Sequence, residues 1–304
     1  MKAMRIHRYG DASVIRHDDI PRPVPGPGEV LVDVAATSFN PSDVGLRRGL
    51  LRSVFQLDLP YTLGGEVAGT VVEVGDGAHS LAVGDRVVGR LDGGGAAAEY
   101  VTAAADTLVA APATVPLTHA AALPIAGLTA WQAVFEHAGV TSGQRVLVNG
   151  AGGGVGGFAV QLAKYAGAHV IATAGPRSTE AVRRLGADRI VDYTATPLAD
   201  ALDEPVDVVL HLVPIDAEPL IPLVRPGGVV VSATLPVTTP DGSPVTATHF
   251  VARNDTSHLA ALVELVDAGA VHLDVSAFRP LADLASVHRD AESARTRGKI
   301  ILVP

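Results

Sequence analysis

Short runs with apolar residues at alternate positions dominate the first part of the chain. GEVLVDVAA, EVAGTVVEVG and GDRVVGRL are of this kind, rich in β-branched residues and bounded by Gly, Pro or Asp. They read as strands. PRPVPGPGE is a Pro/Gly loop between two of them. THAAALPIAGLTAWQAVFEHAG then reads as one helix, closed by Gly139. From Arg145 the rhythm changes to strand and helix in alternation. RVLVN, HVIATA, RIVDY, VDVVLHLV and GGVVVSATL are buried strands, and TEAVRRLGA is helical. After the helix HLAALVELVDAG the pattern becomes irregular until KIILV ends the chain as a strand. Alternating units of this length predict an α/β fold, a parallel sheet covered by helices on both faces.

Between RVLVN and the next helix stands GAGGGVGG. Glycine is costly to order, so a cluster is expected where backbone turns tightly or approaches something closely. The helix that follows carries Val155, Phe158, Ala159, Leu162 and Ala163 on one face, which makes the context strand, tight turn, helix. A turn of this kind offers bare N–H groups of a first helical turn to a pyrophosphate, with the helix dipole assisting. Two registers fit. Gly152, Gly154 and Gly157 satisfy GxGxxG, and Ala151, Gly153 and Gly156 satisfy AxGxxG. The other reading is a helix-packing turn with no ligand.

The tip of the next strand distinguishes the two nicotinamide dinucleotides. A site for NADH places Asp or Glu there for the ribose 2′-hydroxyl. This chain reads Ala174, Gly175, Pro176, Arg177, Ser178, with no acid before Glu180. Arg177 can fork onto a 2′-phosphate and Ser178 can donate beside it, which points to NADPH. The alternative for Arg177 is a solvated first-turn residue.

Composition narrows the classes. The chain has 304 residues, 48% of them hydrophobic, with mean hydropathy +0.31, enough for two globular domains. No long apolar run is free of Gly, Pro or polar interruption, so no membrane span is expected. MKAMRIHRYGD lacks the apolar core of a signal peptide, and a cytoplasmic protein is expected. There is no cysteine, which excludes disulfides and thiolate metal sites. A net charge of -9 without a basic block argues against nucleic acid as a partner.

PGPGEVLVDV, FNPSDVGLRRG, LPYTLGGEVAGTVVEVG, GDRVVG, AEYV, ALPIAGLTAWQAV, VLVNGAGGGVGGFAVQLAK, LGADRIVDY, RPGGVVV and GKIIL occur in this order. Over almost its whole length the chain resembles the zeta-crystallin-like quinone oxidoreductases of the medium-chain dehydrogenase/reductase superfamily. The resemblance implies a GroES-like, β-rich catalytic domain from residues 1–122 and 271–304, and a Rossmann domain from residues 123–270. It also implies a homodimer formed through Rossmann edge strands.

The zinc enzymes of this superfamily hold their metal with a cysteine, the histidine of a GHE motif, and a further cysteine or acid. Here the second motif reads Gly64, Gly65, Glu66, FNPSD replaces the cysteine segment, and the four-cysteine lobe is missing. A catalytic zinc needs three protein ligands, so no metal is expected. Without a Lewis acid, the acceptors that suit are those that delocalise charge onto their own carbonyl: quinones and α,β-unsaturated ketones or aldehydes. The resemblance places Asn40 and Asp43 near the nicotinamide and Thr129 beside its carboxamide. It places Ala151, Gly152, Gly153, Gly154, Val155 and Gly156 at the pyrophosphate, and Gly175, Arg177, Ser178 and Tyr193 at the adenosine half. Val213 and Pro214 would pack the ribose–nicotinamide region, Phe250 and Val251 would lie on a later cofactor-facing strand, and Lys299 would approach the cofactor from the C-terminal segment. For Val213, Phe250 and Val251 ordinary core packing is an equal alternative.

Two departures stand out. Gly45 replaces a tyrosine of the family's NPxDTYxR pattern, and His211 stands at a strand tip where Asp or Asn is commoner. For His211 a satisfied buried histidine is favoured over a proton donor. Tyr61 and His249 are candidate donors, with solvent a third. The expected activity is NADPH-dependent reduction of a quinone or enone. The alternatives are a tailoring reductase for a secondary metabolite and a non-catalytic NADPH-binding protein.

Overall fold

Strand Glu29–Phe39 organises the β-rich part of the chain in the computed structural model, which describes residues 1–53 and 55–304. Its alternate residues Val30, Val32 and Val34 are buried with Val67, Val71, Val87 and Leu108, the inward face that the alternation predicts. At eleven residues the strand is long enough for two sets of partners. Its first half pairs antiparallel with Glu66–Val74 on one edge and Tyr100–Ala104 on the other. Its last residues pair with the C-terminal strand Lys299–Val303, Ile300 lying opposite Phe39. Arg86–Arg90, Leu108–Ala110 and Val275–Pro280 complete a seven-stranded sheet. Lys2–Ile6, Ile15–Asp19 and Tyr61–Thr62 form a smaller one. Met4, Ile6, Phe39, Leu281, Val287 and Leu302 share a core, so both chain ends belong to one unit.

Helix Pro41–Arg48 begins where Glu29–Phe39 ends. Pro41 suits its first position, where no N–H is needed. The Asn40 N–H is accepted by Asp43 Oδ2 at 2.9 Å, half of a capping box. Gly49 ends the helix at φ 74°, a left-handed conformation that favours glycine. The fully buried Arg47 reaches Glu292 at 2.7 Å and ties the helix to Leu284–Glu292.

The second unit is a six-stranded, wholly parallel sheet. Its order is Arg189–Val191, His169–Thr173, Arg145–Asn149, Val206–His211, Val224–Ser232, Thr246–His249. Numbered along the chain this is 3-2-1-4-5-6, the doubly wound order, which reverses between Arg145–Asn149 and Val206–His211. The continuous apolar runs are buried as a covered parallel sheet requires. The α/β class read from the sequence is the class observed.

Two segments differ from expectation. The helix expected over residues 118–139 is broken into Leu117–Ala120, Pro124–Trp131 and a π-helical turn Gln132–His137. Pro124 cannot donate to a preceding turn and so starts a helix of its own. The units divide as Met1–Ile125, Asn254–Asp267 and Val275–Pro304 against Ala126–Arg253 and Ala268–Asp274. Helix Thr256–Asp267 therefore falls in the β-rich unit, although the 123–270 span expected for the other unit includes it. The Asp267 carboxylate accepts from Thr114 N and Oγ1 at 2.9 and 2.8 Å and from Ala113 N at 3.2 Å, which fixes the helix there. Among the described residues no helix is long and apolar enough to cross a membrane.

The structure also decides between the two glycine registers. Helix Gly154–Tyr165 packs so closely on the turn that a Cβ on Gly156 would lie 2.6 Å from Ala151 Cα and 2.8 Å from the Gly150 carbonyl carbon. A Cβ on Gly157 would meet only Leu185 Cδ1, at 3.2 Å, a side-chain atom that can move. The close-packing glycine is thus Gly156, and the register is Ala151, Gly153, Gly156. Gly156→Ala should destabilise the fold by about 1–3 kcal/mol despite alanine's better helix propensity. Gly157→Ala should be near neutral. Urea melts of the two variants check this.

Candidate active site

Register places the first group of site residues. Ile300 lies opposite Phe39 and Ala36 opposite Ala68, so Lys299 and Glu66 flank residues 38–40 from the two neighbouring strands. All of Glu66, Lys299, Asn40 and Ser38 are buried. Lys299 Nζ donates to Glu66 Oε1 at 2.9 Å, to Asn40 Oδ1 at 2.8 Å and to Phe39 O at 3.4 Å. Asn40 Nδ2 and Ser38 Oγ donate to the same Glu66 oxygen, the former at 2.6 Å. Glu66 Oε2 accepts from Ile125 N at 2.8 Å, in the first turn of helix Pro124–Trp131, where a carboxylate also meets the positive end of the helix dipole. A buried charge survives when it is paired and hydrogen-bonded, and this pair is both.

Lys299 directs all three of its N–H bonds within the β-rich unit. Asn40 is likewise engaged through its amide oxygen and nitrogen. Both residues hold the segment in position. Glu66 is the residue that sequence reading missed, having noticed in GGE only the absent histidine.

Asp43 and Tyr61 stand next to this network. Desolvation pushes the Asp43 carboxyl up to about 7, and the Glu66 charge adds to the rise. The Asn40 N–H and the Lys299 charge oppose it. Desolvation, with Asp43 adding, raises the Tyr61 phenol to about 12. Tyr61 lies over Gly94, where a Cβ would come within 2.6 Å of Cζ. The space above Gly45 is faced by Leu51, whose Cγ lies 3.4 Å from a Cβ built there, so an apolar surface stands at that point. No group of three or more His, Asp or Glu able to hold a metal occurs among the described residues. The residues present do not fit a zinc ion, since Gly65 offers no ligand and both Glu66 oxygens are taken.

A second group of the expected site residues lies in the Rossmann unit. Gly157 donates back to Gly153, the first bond of helix Gly154–Tyr165. The N–H groups of Gly154, Val155 and Gly156 precede that bond and have no acceptor within the helix. Gly153, at the N-cap, is exposed, and a Cβ on it would approach nothing closer than Gly150 O at 3.5 Å. Ala151 is buried beneath the turn. Gly152 packs on Ser178, with a would-be Cβ 2.6 Å from the serine Cβ. The residues expected at the adenosine end therefore adjoin the turn. Arg177 is exposed, Ser178 donates to Gly175 O at 3.2 Å, and the exposed Tyr193 brings its hydroxyl within 3.5 Å of a Cβ built on Gly175.

Val213 also meets the turn, its Cγ1 lying 2.8 Å from a Cβ built on Gly150, with the exposed Pro214 next to it. Thr129 is half-buried within helix Pro124–Trp131. Phe250 and Val251 depart from expectation, since they follow strand Thr246–His249 instead of lying on it. Phe250 is buried with its ring 4.2 Å from that of His137, which is core packing, and Val251 is exposed. His249 is exposed at the strand end. His211 is fully buried with both ring nitrogens bonded, as a satisfied histidine should be, and burial lowers its pKa.

Comparison with known proteins identifies the family. Residues 26–113 match the alcohol dehydrogenase GroES-like domain, and residues 185–302 match the zinc-binding dehydrogenase family. The chain is 43% identical over 223 residues to a chloroplast envelope quinone oxidoreductase homolog of Arabidopsis thaliana, covering 69% of this chain and 68% of the relative. It is 33% identical to a 2-methylene-furan-3-one reductase of Solanum lycopersicum, over all of this chain and 79% of that one. The solved structure of Escherichia coli quinone oxidoreductase complexed with NADPH superposes with a TM-score of 0.91, 27% identity and full coverage of both chains.

Two outcomes follow from the β-rich half-site. Lys299→Met leaves Glu66 buried without its countercharge and should cost about 3–5 kcal/mol in urea unfolding. Adding Glu66→Gln should recover part of that loss, so that the double variant is more stable than the single one. For Asp43, the native pKa of about 7 lies above the ordinary value of 3.8. The native state then holds a proton that the unfolded chain has released, so stability falls as pH rises from about 4 to 7 and levels off above. In Asp43→Asn that decline is absent. The stability difference between variant and wild type should therefore grow from pH 4.5 to pH 8 in paired melts.

Proposed function

This chain belongs to the quinone oxidoreductase family of the medium-chain dehydrogenase/reductase superfamily, and on that footing we propose that it is an NADPH-dependent, zinc-independent reductase of quinones or α,β-unsaturated carbonyls. The observation that carries the reading is the turn at residues 150–156. Gly156 is pressed against backbone while three N–H groups are left without a helical acceptor beside Ser178 and Arg177. That cradle suits a pyrophosphate.

Bound there, NADPH supplies the hydride. The remaining work falls to the chain. The N–H groups of Gly154, Val155 and Gly156 hold the pyrophosphate, and the dipole of helix Gly154–Tyr165 assists them. Arg177 and Ser178 take the 2′-phosphate by charge-assisted hydrogen bonds. Gly175 leaves room for the adenosine, which Tyr193 flanks. Thr129 and residues 213–214 keep the nicotinamide end in place.

On the acceptor side, a quinone or enone gathers negative charge on its own oxygen as hydride arrives. It needs orientation and a proton more than a Lewis acid. Asp43 is the group suited to give that proton, because a carboxyl held near 7 is still partly protonated at neutral pH. Tyr61, its phenol raised to about 12, is the weaker acid of the two. Apolar Leu51 above Gly45 suits an acceptor with an apolar face, and the likeness to a furanone reductase supports enones alongside quinones. A homodimer belongs to the same proposal, with strand Thr246–His249 leaving one edge of the sheet unpaired.

Oxidation of NADPH should therefore be seen with some member of a panel of quinones and enones. Tight NADPH binding with no turnover across the panel would instead support a non-catalytic binding protein. Activity should survive EDTA, and metal analysis should find no stoichiometric zinc. Arg177→Ala should weaken NADPH by roughly ten- to a hundredfold, the loss of one charge-assisted bond of about 1.5–3 kcal/mol, and leave NADH almost untouched. Equal losses for both cofactors would show that Arg177 supports the fold instead.

A further inference from the structure

Three adjacent strands of the parallel sheet end in a buried chain of hydrogen bonds that no step above has used. Gly150 N donates to Thr173 Oγ1 at 2.9 Å, and that hydroxyl donates to Asn149 Oδ1 at 3.0 Å. Asn149 Nδ2 lies 3.0 Å from His211 Nδ1, and His211 Nε2 lies 2.9 Å from Ile215 O. Asn149, Thr173 and His211 are all buried.

The far end fixes every direction. A carbonyl oxygen only accepts, so Nε2 carries the ring hydrogen, and Nδ1 of the neutral ring accepts from the Asn149 amide. Asn149 Oδ1 is then left to accept from Thr173, and Thr173 Oγ1 to accept from Gly150. Each bond has one direction. A buried network satisfied in this way selects a single arrangement of the segments it joins.

Those segments are the two that meet the cofactor in the proposed reading. Gly150 opens the glycine turn. Residues 212–215 carry Val213 and Pro214, and they are held by the bond from His211 to Ile215 O and by Leu212 N donating to Asn149 O at 2.9 Å. Val213 packs directly against Gly150. We propose that His211 is a positioning residue for the nicotinamide cofactor: through Asn149 on one side and Ile215 on the other, it locks residues 212–215 at a fixed spacing from the glycine turn. The proposal rests on the NADPH reading. His211 does not touch the cofactor and moves no proton.

The test uses the full chain with two readouts: NADPH affinity by fluorescence titration, and amide exchange at residues 212–215 in the cofactor-free protein. His211→Phe keeps a planar ring and removes both bonds. It should weaken NADPH by about tenfold, the effect of one lost buried hydrogen bond, and speed exchange at residues 212–215, while kcat at saturating NADPH stays close to wild type. Asparagine places an acceptor near the Nδ1 position and glutamine a donor near Nε2. His211→Asn and His211→Gln should each weaken NADPH less than His211→Phe does. If the phenylalanine chain does not fold, these two variants decide by the same readouts. Wild-type binding with an unaltered Kd in the folded variants, or unaltered exchange at residues 212–215, overturns the proposal alone. A wild-type chain that fails to bind NADPH overturns the cofactor reading, and this proposal with it.

Discussion

A lysine and a glutamate 233 residues apart in the chain share one buried ion pair, Lys299 with Glu66. The β-rich half-site is assembled around it. Isolated, either charge would be prohibitively costly to bury. Together, with Ser38, Asn40, the Phe39 carbonyl and the Ile125 N–H filling the remaining positions, they hold three strands and a helix start in one register. Asn40 then caps helix Pro41–Arg48 from a fixed point, and Asp43 takes its position from that cap. The raised pKa of Asp43 is thus a consequence of packing around the pair, since desolvation and the Glu66 charge are its two upward causes.

The Rossmann half-site reaches the same end by other means. Its network from Gly150 to Ile215 carries no formal charge, and its order comes from hydrogen-bond direction alone. The ion pair tolerates some angular error, because Coulomb attraction is not directional. The neutral chain tolerates little, because reversing one amide reverses every bond beyond it. One half holds a carboxyl in an unusual protonation state and the other holds backbone N–H groups at a spacing, and each task suits its kind of network.

Much of this was legible in the sequence. The apolar runs after Arg145 announced a covered parallel sheet, and GAGGGVGG announced the turn, because both depend on local pattern. The register of the turn was not legible, since GxGxxG and AxGxxG overlap and only the packing of Gly156 on Ala151 separates them. The partners of Lys299 were not legible, because they are remote in the chain. A hint existed, for the lysine in GKIIL and the acid that opens EVAGTVVEV are each anomalous in buried strands and complementary to one another. Phe250 looked cofactor-facing on a strand that stops one residue earlier, and strand ends are set by pairing, which single-chain pattern does not display.

Strand Lys299–Val303 lies almost at the end of the chain, yet it completes the unit to which the first residues belong. During synthesis the Rossmann unit emerges whole and can fold as it appears, whereas the β-rich unit waits for the last strand to leave the ribosome. Until then Glu66 has no countercharge, and the edge of Glu29–Phe39 that will receive the C-terminal strand stands open. The nascent protein is therefore most exposed to edge-to-edge association over the interval in which its second unit is already native.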